Sequence, residues 1–198
     1  MKRFALVAVL VLLLAGCGGE DESSEGSGSA TTTPTAQCEP QSGASLSKKV
    51  SPVLQDRPTM YLTDVELDIE DCVERVIFKF EPSEPGPGYY VSFQPAEVAK
   101  IQDGSGKSLE IAGEDFLVVR LFPAMTATID GENVEPTYGG PRSIPAPTDA
   151  KMLREVAMTG DFEAQVTWAI GLDEKRPFTV TASDDELVVE ISNVAAAS

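Results

Sequence analysis

Tyr61-Leu62-Thr63-Asp64-Val65-Glu66-Leu67-Asp68-Ile69 alternates apolar and acidic side chains, with Val65, Leu67 and Ile69 on one face and Asp64, Glu66 and Asp68 on the other. A period of two with one polar side predicts a half-exposed β-strand. Residues 75–80 repeat the device: Val76, Phe78 and Phe80 turn inward, Ile77 and Lys79 turn outward, and Cys72 lies in the connection of the hairpin. A third run, 89–93, is entered through the stiff loop Pro82-Ser83-Glu84-Pro85-Gly86-Pro87-Gly88.

Further along, Asp103-Gly104-Ser105-Gly106 is turn chemistry, followed by β-type runs at 109–112 and 116–121. The stretch 123–147 is rich in proline and glycine and poor in large apolar residues, so it reads as one long surface loop. The β pattern resumes at 153–158, 164–171, 178–181 and 187–191, and no long amphipathic helix interrupts it. Eight or nine short strands at this spacing predict an all-β fold, a sandwich or a barrel. The folded part, residues 60–194, is large enough for one core and leaves no second domain. Trp168, with Val166 and Ile170 at period two, is expected in that core rather than on a ligand platform.

Before the domain, Lys2 and Arg3 precede an apolar run over 4–15 that is shorter than the about 20 residues a membrane-spanning helix needs. That is a signal peptide, residues 1–16. It ends at Leu14-Ala15-Gly16-Cys17, where small residues fit the peptidase and a thiol receives the diacylglycerol, so Cys17 is the expected lipidation site. Residues 17–37 are Gly, Ser, Thr and acid, a composition that cannot bury a core; they are expected to form a disordered tether of about 25 Å end to end. Residues 38–59, broken by Pro40, Pro52 and Pro58, form a transitional segment. Cys38 and Cys72, an even pair in an exported chain, are expected to form a disulfide that pins this segment to the domain. A redox or metal-binding pair is the alternative.

The formal charge is −17, and loss of Lys2 and Arg3 with the leader takes it to −19. Such a charge repels nucleic acid and anionic polymers and favours a soluble monomer. The chain has no histidine, which removes Ser-His-Asp and Cys-His nucleophilic systems and nearly all common zinc sites. Gly106-Lys107-Ser108 resembles the end of a phosphate loop, but Ile101 stands where the first glycine is needed. Asp64, Glu66, Asp68, Glu70 and Asp71 read as the solvated side of a strand and its turn, with calcium ligation and carboxylate catalysis as the alternatives weighed. Asp184-Asp185-Glu186 reads as a turn. No catalytic set, metal or cofactor is expected. Tyr89 and Tyr90 are adjacent and so face opposite ways, one expected in the core and the other exposed. An exposed aromatic beside Pro-Gly loops is a candidate sugar contact.

Several segments together resemble the AMIN-like domain found in lipoproteins of high-GC Gram-positive (actinobacterial) bacteria. They are Glu74-Arg75-Val76-Ile77-Phe78-Lys79-Phe80, Pro87-Gly88-Tyr89-Tyr90-Val91, Asp103-Gly104-Ser105-Gly106, Gly160-Asp161-Phe162-Glu163-Ala164-Gln165-Val166-Thr167-Trp168-Ala169-Ile170-Gly171-Leu172 and Pro177-Phe178-Thr179-Val180. The resemblance implies a β-sandwich with a non-catalytic role, since AMIN domains localise wall amidases and secretin-type pores by contacting peptidoglycan. Similar domains carry a proline- and arginine-containing turn before the final strand, where this chain has Ser183-Asp184-Asp185-Glu186, and the cysteine pair is an addition of its own. The expectation is therefore a lipid-anchored lipoprotein on the outer face of the cell membrane, binding peptidoglycan or an envelope protein. The alternative is a carrier holding a small apolar ligand between its sheets.

Overall fold

The computed structural model describes residues 38–52 and 56–194; the leader, Cys17 and the tether lie outside them. The chain forms β1 (Lys49–Val50), β2 (Met60–Ile69), β3 (Val73–Phe80), β4 (Tyr89–Gln94) and one helical turn, α1 (Ala96–Ala99). It continues through β5 (Asp115–Leu121), β6 (Ala124–Met125), β7 (Ala127–Asp130), β8 (Asn133–Pro136) and β9 (Ser143–Pro145). The last four strands are β10 (Leu153–Phe162), β11 (Gln165–Leu172), β12 (Phe178–Ala182) and β13 (Glu186–Ser192). A six-stranded sheet, β1-β4-β5-β11-β10-β9, and a five-stranded sheet, β12-β13-β3-β2-β6, make a β-sandwich, with β7 and β8 as a separate ribbon.

Strand β2 shows how the sequence sets the register. Met60 and Leu62 are buried, and so is Val65, which an unbroken alternation would put on the opposite side. The ladder with β3 skips from Leu62–Phe80 to Asp64–Lys79, a bulge at Thr63 that reverses the parity and puts Val65, Leu67 and Ile69 on the same side as Met60 and Leu62, against the core. Between the sheets, the Phe78 and Trp168 rings meet edge to face at 5.9 Å, and Tyr138 meets Trp168 at 5.7 Å. Trp168 is fully buried. Its indole N–H has no hydrogen-bond partner among the described residues, a cost of about 1–3 kcal/mol that its packing must offset.

Both open sides of the sandwich are closed by segments outside the main strands. On one side, Ser45 exchanges two backbone hydrogen bonds with Phe178 of β12, at 3.2 and 3.1 Å, and β1 then pairs with β4 of the other sheet. Residues 38–50 thus stitch one sheet edge to the other, and the Cys38–Cys72 disulfide fixes their start to the β2–β3 turn. On the other side lies the stretch 123–147, expected as a bare loop. Its backbone instead builds β6 parallel to β2, the β7–β8 ribbon and β9 on the edge of β10, and its Tyr138 is buried. Proline and glycine shorten these strands but do not abolish pairing.

One expected strand is absent. Residues 109–112 are extended but join no ladder; they lie on the outer face of the six-stranded sheet, where Ile111 packs with Ala99, Phe116, Val118, Ala157 and Ala169. That half of the face is therefore covered by α1 and by the strap that follows it.

Glu74 joins the two sheets chemically. It is fully buried on β3, and its carboxylate accepts hydrogen bonds from the backbone N–H groups of Lys151, Met152 and Leu153 at the start of β10, at 3.0 Å from Met152 and 2.6 Å from Leu153. A buried carboxylate is tolerable only when so satisfied. Substituting Glu74→Ala leaves the buried N–H groups of Met152 and Leu153 and the part-buried one of Lys151 unpaired and is expected to lower unfolding stability by about 3 kcal/mol, read as a shift of the urea midpoint, whereas Glu81→Ala on the surface is expected to move it little.

Candidate ligand-binding face

Two outer faces compete for a functional role, and their electrostatics differ. On the five-stranded sheet the cations Arg75 and Lys79 are paired with carboxylates of the same face. Lys79 pairs with Glu66 at 2.6 Å, and Arg75 reaches Asp68 at 2.6 Å and Glu190 at 2.7 Å. The hydrogen bond from Glu66 holds the Lys79 ammonium above its ordinary pKa, and hydrogen bonds to Glu70 and Glu190 do the same for Arg75. Asp71 pairs with Lys151, whose hydrogen bond lowers the Asp71 pKa. The acids of β2 and its turn thus behave as a solvated, ion-paired face. No group of three His, Cys, Asp or Glu among the described residues is placed to hold a metal ion.

The six-stranded sheet offers the contrast. Strap and helical turn cover only the half of its outer face around Phe116, Val118, Ala157 and Ala169. Beyond that, the register places Val50, Tyr90, Arg120, Thr167 and Gly160 in one row across β1, β4, β5, β11 and β10, of which Thr167 and Gly160 are buried and the β1–β5 part is open. One step further out, alternation from the buried Leu121 and Val166 puts Phe122 and Gln165 on the same face, with Phe162 paired to Gln165. Val50 is 46% exposed, Phe122 39% and Phe162 61%, an apolar surface that a chain of charge −17 would ordinarily hide.

Cations and acids sort to opposite sides of this row. The Lys48 ammonium lies 5.8 Å and the Arg120 guanidinium 5.9 Å from the Tyr90 ring centroid, both within cation–π reach. Neither makes an ion pair within 4.0 Å among the described residues. On the β10 side, Asp103, Gly104, Phe162, Glu163 and Gln165 line a recess of about 310 Å³. Asp103 is brought there by its N–H, which donates to Thr159 O at 2.7 Å, and by the absent side chain of Gly160, where a Cβ would lie 1.9 Å from the Asp103 carboxylate. The turn Glu163-Ala164 that ends β10 has both residues at positive φ, +52° and +55°, as a two-residue hairpin between twisted strands requires.

The candidate tyrosines part as adjacent strand residues must, but neither is fully buried nor fully exposed. Tyr90 is half-buried on the outer face under its two cations. Tyr89 packs against the core and also lines a cleft of about 330 Å³ with Arg57, Pro85, Pro87, Ser183 and Asp184. The Ser183-Asp184-Asp185-Glu186 segment turns β12 into β13, with the Ser183 hydroxyl donating to Asp185 at 2.9 Å. Sequence reading missed Arg120, Phe122 and Phe162. The first two carried a signal, since Phe116, Val118, Arg120 and Phe122 form a period-two row with a lone cation in it. Phe162 carried none, because the bulge between Met158 and Gly160 decides its side.

The family model of the AMIN-like domain matches residues 60–193. No curated protein and no solved structure matches the chain. Because Phe162 is exposed and touches no core cluster, Phe162→Ser is expected to change unfolding stability by less than about 0.5 kcal/mol, whereas Trp168→Ala should lose about 3–5 kcal/mol, both measured by urea denaturation.

Proposed function

The chain belongs to the AMIN-like domain family, and from that premise we propose that it is an extracytoplasmic, non-catalytic binding module of the cell envelope, tethered to the outer face of the membrane through a lipid on Cys17 and contacting peptidoglycan. The carrying observation is the outer face of the six-stranded sheet beyond the strap, where the exposed Phe122 and Phe162 and the half-buried Tyr90 lie with the cations Lys48 and Arg120. Its place in the fold fits the task. The tether joins the domain at Cys38, whose disulfide holds it to the β2–β3 turn. The Glu74 hydrogen bonds put that turn beside the start of β10, and Phe162 lies at the far end of the same strand, roughly 30 Å away by strand rise. The Phe162 end of the face is thus remote from Cys38, the first of the described residues, which suits a module tethered through its N-terminus.

An envelope protein is the second partner class for the same face. The carrier reading draws less support: Trp168, Phe78, Leu117, Phe178 and their neighbours between the sheets are fully buried among one another, which works against an apolar ligand held there.

The leaderless chain with Cys17→Ser, mixed with purified insoluble peptidoglycan, is expected to pellet saturably while an unrelated acidic protein stays in solution. Absence of pelleting from low to high salt would sink the wall-binding reading and turn attention to a protein partner.

A further inference from the structure

The two-sided charge of the open face defines its ligand more narrowly than the wall as a whole. Lys48 and Arg120 stand on the β4–β5 side with no ion pair among the described residues, and Asp103 and Glu163 stand on the β10 side. Tyr90, Phe122 and Phe162 provide aromatic surface between and beside them. We propose that this face binds a muropeptide, a sugar unit bearing a short peptide, with a peptide carboxylate on Arg120 and Lys48 and a peptide amine on Asp103 and Glu163. The proposal rests on the wall-binding reading and specifies which part of the wall polymer is recognised and by which residues.

Distance selects the class of ligand. Arg120 and the β10 edge are two strand spacings apart, and Tyr90 one more, which is roughly 10–14 Å at about 4.8 Å per spacing. A free amino acid carries its two charges on neighbouring atoms and cannot touch both sides. An extended peptide advances about 3.4 Å per residue, so three or four residues span the gap. A bare neutral glycan engages the aromatic surface but leaves both charged sides without partners. A polyanion meets Lys48 and Arg120 but is repelled by Asp103 and Glu163 and by the −17 charge of the chain. A unit with sugar, carboxylate and a separated amine meets all three requirements at once. The apolar surface with a few placed polar groups is the usual make-up of a specific site.

The test is isothermal titration calorimetry of the leaderless Cys17→Ser chain with a soluble disaccharide-tetrapeptide whose side-chain amine is free. The same ligand with that amine acetylated, and the disaccharide without peptide, serve as comparisons. Arg120→Gln is expected to weaken binding about tenfold, the size of one charge-assisted hydrogen bond. Glu163→Gln, an exposed turn substitution, is expected to weaken the free-amine ligand by several-fold and to leave the acetylated one unchanged. Lys79→Gln on the opposite sheet is expected to do nothing. Circular dichroism melts confirm that each variant is folded. Unchanged affinity in both Arg120→Gln and Glu163→Gln overturns the proposal, as does a wild-type chain that prefers the peptide-free disaccharide or binds none of the three ligands. Pelleting with whole peptidoglycan, run in parallel, separates the two levels: a chain that still pellets while the muropeptide fails keeps the wall-binding reading and loses this site.

Discussion

A single buried carboxylate ties the sandwich together. Glu74 sits on β3 of one sheet and holds three successive backbone N–H groups at the start of β10 in the other. Hydrophobic contact between sheets is non-directional and tolerates sliding; a buried anion with backbone donors around it does not. With β10 fixed at Leu153, its pairing with β11 places Trp168 opposite Met158 and sends Phe162 to the far end. The Trp168–Phe78 contact and the position of the open face therefore both follow from where Glu74 holds the chain. Lys151, which supplies one of those N–H groups, also pairs through its side chain with Asp71, and the disulfide lies one residue further on at Cys72. The covalent, ionic and hydrogen-bonded links between sheets gather at this end.

The opposite end is left open to interact. Two excursions, 38–50 and 123–147, close the sides of the sandwich and remove most of the exposed sheet edge that would otherwise invite aggregation. The strap after α1 covers half of one outer face. On the five-stranded sheet both outward cations, Arg75 and Lys79, are taken up by carboxylates of the same face. What remains is the distal half of the six-stranded sheet, where cations lie on an aromatic ring instead of on carboxylates. Charges not consumed by internal pairing are those available to a partner.

Strand identity was legible where alternation was unbroken, as in 75–80, where Val76, Phe78 and Phe80 face the core as read. It failed at 109–112 for a physical reason: an extended strap lying on a sheet needs the same spacing of buried residues as a strand, and only the ladder distinguishes them. The stretch 123–147 failed in the reverse sense, since backbone pairing there is carried by residues with little apolar content. The disulfide was legible from cysteine count and compartment. Glu74 was not, because nothing local separates a glutamate that will be buried from its exposed neighbours; its partners are 77 to 79 residues away. The face was half legible, through Tyr90 and through the lone Arg120 in an apolar run. Its acidic side depends on the bulge of β10 and on the close approach that Gly160 allows.

The family is shown over residues 60–193, and the proposed wall-binding role rests on the outer face of the six-stranded sheet. The most direct measurement is a chemical-shift map of ¹⁵N-labelled leaderless Cys17→Ser chain titrated with solubilised peptidoglycan fragments. Shifts confined to the row through Val50, Tyr90, Arg120 and Thr167 and to the Phe122–Phe162 end are the predicted result. Shifts centred on the five-stranded sheet, or on the cleft beside Tyr89 with the outer row silent, would contradict it.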